Sequence, residues 1–142
     1  MKQVDGYQIV QHDKGLGNVL LLTSRWKDEY LRVIRARKIT VLRLTEYVGW
    51  TDSDVSFVLK APEIQGVEIL SRKVVDVSPV FQLEKLKTLS LCCPAKAGGD
   101  FGKFQHLQSV FLSWRNVYRS VFALDALVRI NISAIPEAEK FD

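Results

Sequence analysis

The chain has 142 residues, of which 47% are hydrophobic and 25% are charged, and its formal net charge is +4. This composition is typical of one globular domain and excludes an intrinsically disordered chain, which would be poorer in apolar residues. The longest apolar run, Val19–Leu22, is far shorter than the roughly 20 residues that a membrane-spanning helix needs, and the first residues contain no apolar signal-peptide segment.

Residues 1–22 are predicted to form a β-hairpin that caps the first edge of a sheet. The arms are Tyr7–His12 and Asn18–Leu22, and the glycine-containing segment between them is the turn. Such a cap is needed because an open sheet edge exposes unpaired backbone groups.

A helix is predicted over residues 24–37, with Thr23 or Ser24 as its N-cap. Its inward-facing stripe consists of residues that recur every four positions, namely Trp26, Tyr30 and Ile34. The next strand is Thr40–Leu44.

Three shorter helical segments are predicted farther along the chain. The first covers 54–60, with a cap from Thr51–Ser53 and an end at Pro62. Another begins at Ser78–Pro79, where proline occupies the first helical position. The last covers 119–126.

One apolar pattern recurs at intervals of 20 to 25 residues: an apolar residue, two of any kind, a second apolar residue, one of any kind, and a third apolar residue. The last two positions are two residues apart, so both side chains point to the same face of a strand. The copies are Leu16-Val19-Leu21, Ile39-Leu42-Leu44, Ile64-Val67-Ile69, Leu86-Leu89-Leu91, Leu107-Val110-Leu112 and Leu127-Ile130-Ile132.

This pattern, and the unit Val77–Leu91 in particular, resembles the leucine-rich repeat. The resemblance implies an α/β fold: a short leucine-rich-repeat-like solenoid with a parallel sheet and the N-terminal β-hairpin as its cap. Leucine-rich repeats usually carry Asn three residues after the last apolar position, and this chain instead has Tyr47, Arg72, Pro94, Arg115 and Ile135 there. The expected organisation is one domain, with a hairpin cap at 1–22, a repeat solenoid at 23–135 and a loose tail at 136–142.

The strand residues that alternate with the buried pairs are predicted to line the concave face of the solenoid. They are Asn18, Leu20, Leu22, Val41, Arg43, Thr45, Gly66, Glu68, Leu70, Thr88, Ser90, Cys92, Ser109, Phe111, Ser113, Arg129, Asn131 and Ser133.

Aromatic residues and arginines follow several of the strands, and these residue types dominate the energetics of protein interfaces. The loops that leave the strands are therefore predicted to form a binding rim. Trp50 and Trp114 have a second interpretation, as bulky fillers of irregular coils. The predicted partner-binding residues are Arg43, Tyr47, Trp50, Glu68, Phe111, Trp114, Arg115, Tyr118 and Arg119.

The sequence contains no signature of catalysis or of a cofactor. His12 and His106 have no cysteine or carboxylate at metal-ligand spacing, and no phosphate-loop, dinucleotide or nucleophile motif occurs. Asp52 and Asp54 are interpreted as helix-capping residues. We therefore predict no enzyme activity, no metal and no cofactor. Cys92 and Cys93 are interpreted as reduced thiols, which predicts a cytoplasmic location.

The expected function is that of a non-catalytic scaffold that binds another protein. The chain is most similar in character to bacterial immunity proteins, which neutralise a cognate toxin by occluding it. The alternative is nucleic-acid binding through the basic segment Arg25–Arg43, with Trp26, Tyr30 and Tyr47 as stacking groups. No membrane association is expected.

Overall fold

The apolar pairs of the repeat lie side by side in a mostly parallel, seven-stranded sheet. A computed structural model describes residues 6–125 and 128–133. Its strands follow one another across the sheet in chain order; β1 and β2 are antiparallel and all later neighbours are parallel. The strands are β1 (Tyr7–Gln11), β2 (Asn18–Leu22), β3 (Ile39–Thr45), β4 (Gly66–Leu70), β5 (Thr88–Cys92), β6 (Ser109–Ser113) and β7 (Arg129–Ser133).

Two continuous apolar rows run across one side of this sheet, which we name the core face. The first row is Leu20, Leu42, Val67, Leu89, Val110 and Ile130. The second is Leu22, Leu44, Ile69, Leu91, Leu112 and Ile132. The residues of both rows from β2 to β6 are buried, because the connecting segments pack over them. The predicted pairs in β3 to β7 therefore share one face and one register.

The N-terminal hairpin is confirmed, but the prediction for its second arm is wrong by one residue. Leu20 and Leu22 are fully buried and pair with Leu42 and Leu44, so the weak copy Leu16-Val19-Leu21 has the wrong phase. A register irregularity between Asn18 and Val19 accounts for the difference, because a shift of one residue turns every strand side chain to the opposite face.

The helix predicted over 24–37 is shorter than expected. The observed helix, α1, covers Tyr30–Ala36, and Glu29 rather than Thr23 or Ser24 is its N-cap. Tyr30 and Ile34 are buried as predicted, whereas Trp26 is only partly buried and precedes the helix. Residues 24–29 are held in place by tertiary contacts instead, including a hydrogen bond from the Trp26 N–H to Asp52 Oδ2 (2.7 Å).

The remaining connections are 3₁₀ turns rather than α-helices. They are Glu46–Val48, Ser56–Lys60, Ser78–Gln82, Phe101–Lys103 and Asn116–Ala123. Three of them begin with an Asp side chain that accepts a hydrogen bond from the backbone N–H two residues later. The bonds are Ser56 to Asp54 (2.7 Å), Ser78 to Asp76 (2.9 Å) and Gly102 to Asp100 (2.8 Å). Short polar side chains of this kind favour turns over continuous helix.

Some predictions fall on residues that the structure does not describe: the tail 136–142, Ile135, Leu127 and the end of segment 119–126 at Ala126. Within residues 6–125 and 128–133, no helix has the length and apolar character required to cross a membrane.

Candidate functional site

The loops that leave β3 to β6 surround a cleft of about 770 Å³ at one edge of the sheet. Parallel strands bring these loops together because their carboxyl ends meet at the same edge. The predicted rim residues Tyr47, Trp114 and Arg115 all line the cleft. Its other lining residues are Glu46, Leu70, Ser71, Arg72, Cys92, Cys93, Pro94 and Ser113.

An ion pair links two of these loops. Arg72 donates to Glu46 through both its backbone N–H (3.1 Å) and its Nε (2.7 Å). The backbone hydrogen bond from Arg72, more than the charge of its guanidinium, lowers the pKa of Glu46 below its ordinary value. The cross-link joins the loop after β3 to the loop after β4, close to the positions where a leucine-rich repeat would use Asn. Sequence reasoning missed this ion pair because its two residues are 26 positions apart.

Two residues predicted to contact a partner form the floor beneath the cleft instead. Tyr118 is fully buried and Trp114 nearly so, with their rings edge to face at 6.5 Å between centroids. The prediction that Tyr118 contacts a partner is therefore wrong, and Trp114 is a core filler. Both residues were assigned to the rim because they follow β6, but their large apolar rings turn inward to fill the end of the coil.

Cys93 lies against Tyr118, and neither group ionises near neutral pH. Burial raises the pKa of the Cys93 thiol to about 11. Burial also raises the pKa of the Tyr118 hydroxyl well above its ordinary value. The pair is accordingly a neutral part of the core rather than a reactive centre.

Arg115 is exposed beside this buried pair. Its Nε donates to the carbonyl of Ala95 (3.2 Å), which anchors the side chain to the loop after β5. No carboxylate in the described part of the chain forms an ion pair with Arg115. The terminal guanidinium nitrogens thus remain available at the mouth of the cleft.

Trp50 is also buried and does not contribute to a binding surface. Its Nε1 donates to Asp52 Oδ2 (2.9 Å), and Asp52 in turn receives the Trp26 backbone N–H. Asp52 is therefore a partly buried acceptor that joins its own loop to Trp26, and its interpretation as a helix cap is wrong. Only Asp54, at the start of a 3₁₀ turn, acts as predicted.

The side of the sheet opposite the core face, which we name the open face, carries the remaining predicted residues. Arg43 Nε donates to Glu68 Oε1 (2.7 Å) across neighbouring strands. His12, in the hairpin turn, is buried with its Nε2 3.6 Å from Glu68 Oε2. The hairpin turn thus reaches across the open face to β4. Val41 and Gly66, predicted to be outward, are buried at this end of the face.

Arg43 and Glu68 also line a shallow hollow of about 250 Å³ on the open face, which adjoins the cleft through Leu70 and Cys92. Leu70, which lines both, is 37% exposed. Tyr47 on the cleft is 81% exposed, and Phe111, which pairs with Ser90 of the hollow, is 39% exposed. Arg119 lies on the last 3₁₀ turn, where it donates to Asn116 Oδ1 (3.3 Å), and it does not line the cleft.

Of the three aromatic residues predicted to stack on nucleic-acid bases, two pack against other rings of the chain and the third lies at the cleft. Trp26 stacks on Phe57, with 4.7 Å between ring centroids and 8° between planes. Tyr30 is buried against Tyr7 and Trp26, and Tyr47 lies at the cleft. Trp26 and Tyr30 are therefore poorly placed to stack on bases, and the alternative function itself stays a prediction.

Comparison of the chain with protein-family models, with curated proteins and with solved structures finds no match. In the part of the chain that the structure describes, no group of three or more His, Cys, Asp or Glu side chains is placed to hold a metal ion. The assignment of a function depends on the geometry of the cleft and the open face.

Proposed function

We propose that this chain is a protein-binding scaffold whose contact surface is the open face together with the adjoining cleft. The observation that carries the proposal is the exposure of Leu70 where the cleft and the hollow adjoin, with Tyr47 and Arg115 on the cleft and Phe111 on the neighbouring strand of the open face. Large apolar side chains combined with arginine are the residue types that supply most of the binding energy in protein interfaces. A group of exposed apolar side chains on one surface is typical of a protein-interaction site.

We also propose that the fold is a short, irregular leucine-rich-repeat-like solenoid. In support, the buried pairs of the repeat occupy the same register in neighbouring parallel strands from β3 onward. Each of these strands pairs with its neighbours in the chain, as expected when one supersecondary unit stacks on the next. Proteins of that architecture present broad surfaces to other proteins.

The charge distribution of the surface suggests the chemistry of the partner. Arg43 is neutralised by Glu68 and Arg72 by Glu46, whereas Arg115 has no carboxylate partner in the described part of the chain. A partner should therefore present an apolar segment for the hollow and one carboxylate for Arg115. A paired, bidentate carboxylate would fix the orientation of the complex.

The specific form that we propose is an inhibitor of the immunity type, which occludes a toxin domain. An inhibitor that occludes its target needs a complementary contact surface and no reacting group. The cleft and the open face meet this description, because they consist of apolar residues, paired ions and one anchored arginine. The partner in this proposal is a toxin domain with a neutral or mildly acidic contact surface, because the free charge at the cleft is positive.

Leu70→Ala with Leu59→Ala as its control tests the binding surface. Leu70 on the open face is 37% exposed and Leu59 on a distant 3₁₀ turn is 40% exposed, so the two truncations remove similar surface. We expect Leu70→Ala to weaken capture of the partner at least tenfold in a quantitative pull-down, and Leu59→Ala to leave it unchanged. Equal capture by both variants would contradict the proposed surface. Stoichiometric inhibition of a captured toxin domain would support the immunity form.

A further inference from the structure

The net positive charge of the chain comes entirely from one short segment. Residues 25–38 contain six of the 20 Lys and Arg and two of the 16 Asp and Glu, and the rest of the chain has 14 of each sign. A concentration of charge on one element creates a local potential that a uniform distribution of the same charge would not.

Tertiary contacts neutralise only part of this segment. Arg25 pairs with Asp52, and Asp28 pairs with Lys60 from a neighbouring loop. Five cations on α1 and its flanks remain exposed, and none of them forms an ion pair within the part of the chain that the structure describes. These five, which we name the α1 cations, are Lys27, Arg32, Arg35, Arg37 and Lys38.

Four of the α1 cations lie within seven residues on a rigid support. Arg32 and Arg35 are separated by about one helical turn, and Arg37 is the C-cap of α1. The turn after the helix is fixed by the Arg37 N–H, which bonds to the Val33 carbonyl (2.9 Å), and by Asn18 Nδ2, which donates to the Arg37 carbonyl (2.6 Å). The backbone that carries these four cations is therefore fixed at its C-terminal end.

Lys38 occupies a backbone position that favours glycine. Its φ is 52°, and it is the only residue other than glycine with positive φ in residues 6–125 and 128–133. Glycine is the residue that most easily adopts this conformation after a helix, and a lysine there costs conformational energy. Lys38 therefore adds an exposed cation beside Arg37 at a position where glycine would end the helix with less strain.

We propose that the α1 cations form a binding site for the sugar-phosphate backbone of duplex nucleic acid, separate from the open face and the cleft. Duplexes carry one negative charge per about 1.7 Å of axis, which matches a compact group of cations. Single strands are less suitable, because their binding draws on aromatic stacking and the rings of Trp26 and Tyr30 are already packed against other rings. Arg43, on the open face and paired with Glu68, is not part of this site.

A lipid surface or an acidic protein is a poorer match for the same charges. The apolar side of α1 is packed into the core through Tyr30 and Ile34, so it cannot insert into a membrane. No large apolar side chain in residues 25–38 is more than partly exposed, although protein interfaces generally centre on such groups. Phosphate contacts need neither feature.

The test is a fluorescence-anisotropy titration of a mixed-sequence duplex of about 20 base pairs over a range of salt concentrations. Five phosphate contacts predict a slope of about −4.5 for the logarithm of the binding constant against the logarithm of the salt concentration. The variant Arg32→Gln/Arg35→Gln/Arg37→Gln should reduce the slope to about −1.8 and weaken binding at least tenfold at low salt. The matched control removes three exposed cations elsewhere, by Lys85→Gln/Lys96→Gln/Lys103→Gln.

The single substitution Lys38→Gly distinguishes the contribution of the Lys38 charge to binding from its effect on stability. Its thermal midpoint should be equal to or above that of the parent chain, because glycine relieves the positive φ, and its affinity for the duplex should fall severalfold. Equal losses of affinity in the two triple variants would overturn the proposal, since overall charge would then explain the binding. Absence of binding at low salt, or tighter binding to anionic vesicles or to polyglutamate than to the duplex, would also overturn it.

Discussion

The two faces of the sheet are built from alternate residues of the same strands, yet their side chains are organised differently. On the core face, each strand from β3 to β6 contributes a buried apolar pair, and the pairs align into continuous rows. On the open face, neighbouring positions in one row are Arg43, Glu68, Ser90 and Phe111, with no shared character. The repeated face specifies the fold, whereas the irregular face is the one that the proposed function assigns to a partner.

The first prediction tests the core face, where the effect should be largest. Leu89 is buried in the first apolar row, between Val67 and Val110. Leu89→Ala should lower the free energy of unfolding by about 2–5 kcal/mol, because the neighbouring strands cannot collapse into the cavity. Chemical denaturation measures this, and Ser90→Ala on the open face of the same strand is the control. Similar stabilities of the two variants would contradict the assignment of faces.

At Gly66, on the open face, an added side chain should destabilise the fold as it would in the core. A side chain at this position would have its Cβ 2.6 Å from Thr88 Cγ2 and 2.9 Å from Val41 Cγ2. We expect Gly66→Ala to destabilise the chain by about 1–3 kcal/mol through overpacking. Adding Thr88→Ser removes the nearer methyl group and should recover part of the loss. If the double variant is no more stable than Gly66→Ala alone, close packing at Thr88 is not the cause.

The adjacent thiols should differ in accessibility. Cys92 ends β5 on the open face and is partly exposed, whereas Cys93 is buried against Tyr118 with a pKa of about 11. At pH 8 only about one Cys93 thiol in a thousand is then ionised, so it should react with iodoacetamide only after denaturation. Intact mass should show at most one adduct in the native chain and two in the denatured one. A native mass lower by two hydrogens would instead indicate a disulfide between the two residues.

The sequence predicted the regular parts of the molecule and misplaced those that depend on distant contacts. Leu42, Val67 and Leu89 were assigned correctly because their periodicity is local and is repeated in each strand from β3 to β7. The phase of β2 was missed because its irregular register at Asn18 and Val19 depends on pairing with β3. Helix start signals at Thr23 and Ser24 were overridden because Asp52 fixes the backbone at Trp26.

The candidate site was predicted only in part, for a related reason. The position of the rim follows from where strands end, so Tyr47 and Arg115 lie at the expected edge of the sheet, and their contact with a partner stays a prediction. Whether an aromatic residue points outward or inward depends on how much space the coil leaves, which the sequence does not specify. Trp50 and Tyr118 are therefore buried although their residue types are typical of interfaces.

Calorimetric titration of Arg115→Ala and Arg32→Glu against the protein partner tests most directly whether binding uses the cleft. Both variants should keep the thermal midpoint of the parent chain, because both side chains are exposed. Arg115→Ala should weaken partner binding by about 1–3 kcal/mol through loss of a paired guanidinium, and Arg32→Glu, on α1, should leave it unchanged. If Arg32→Glu abolishes partner binding and Arg115→Ala has no effect, the contact surface lies on α1 and the account given for the cleft is wrong.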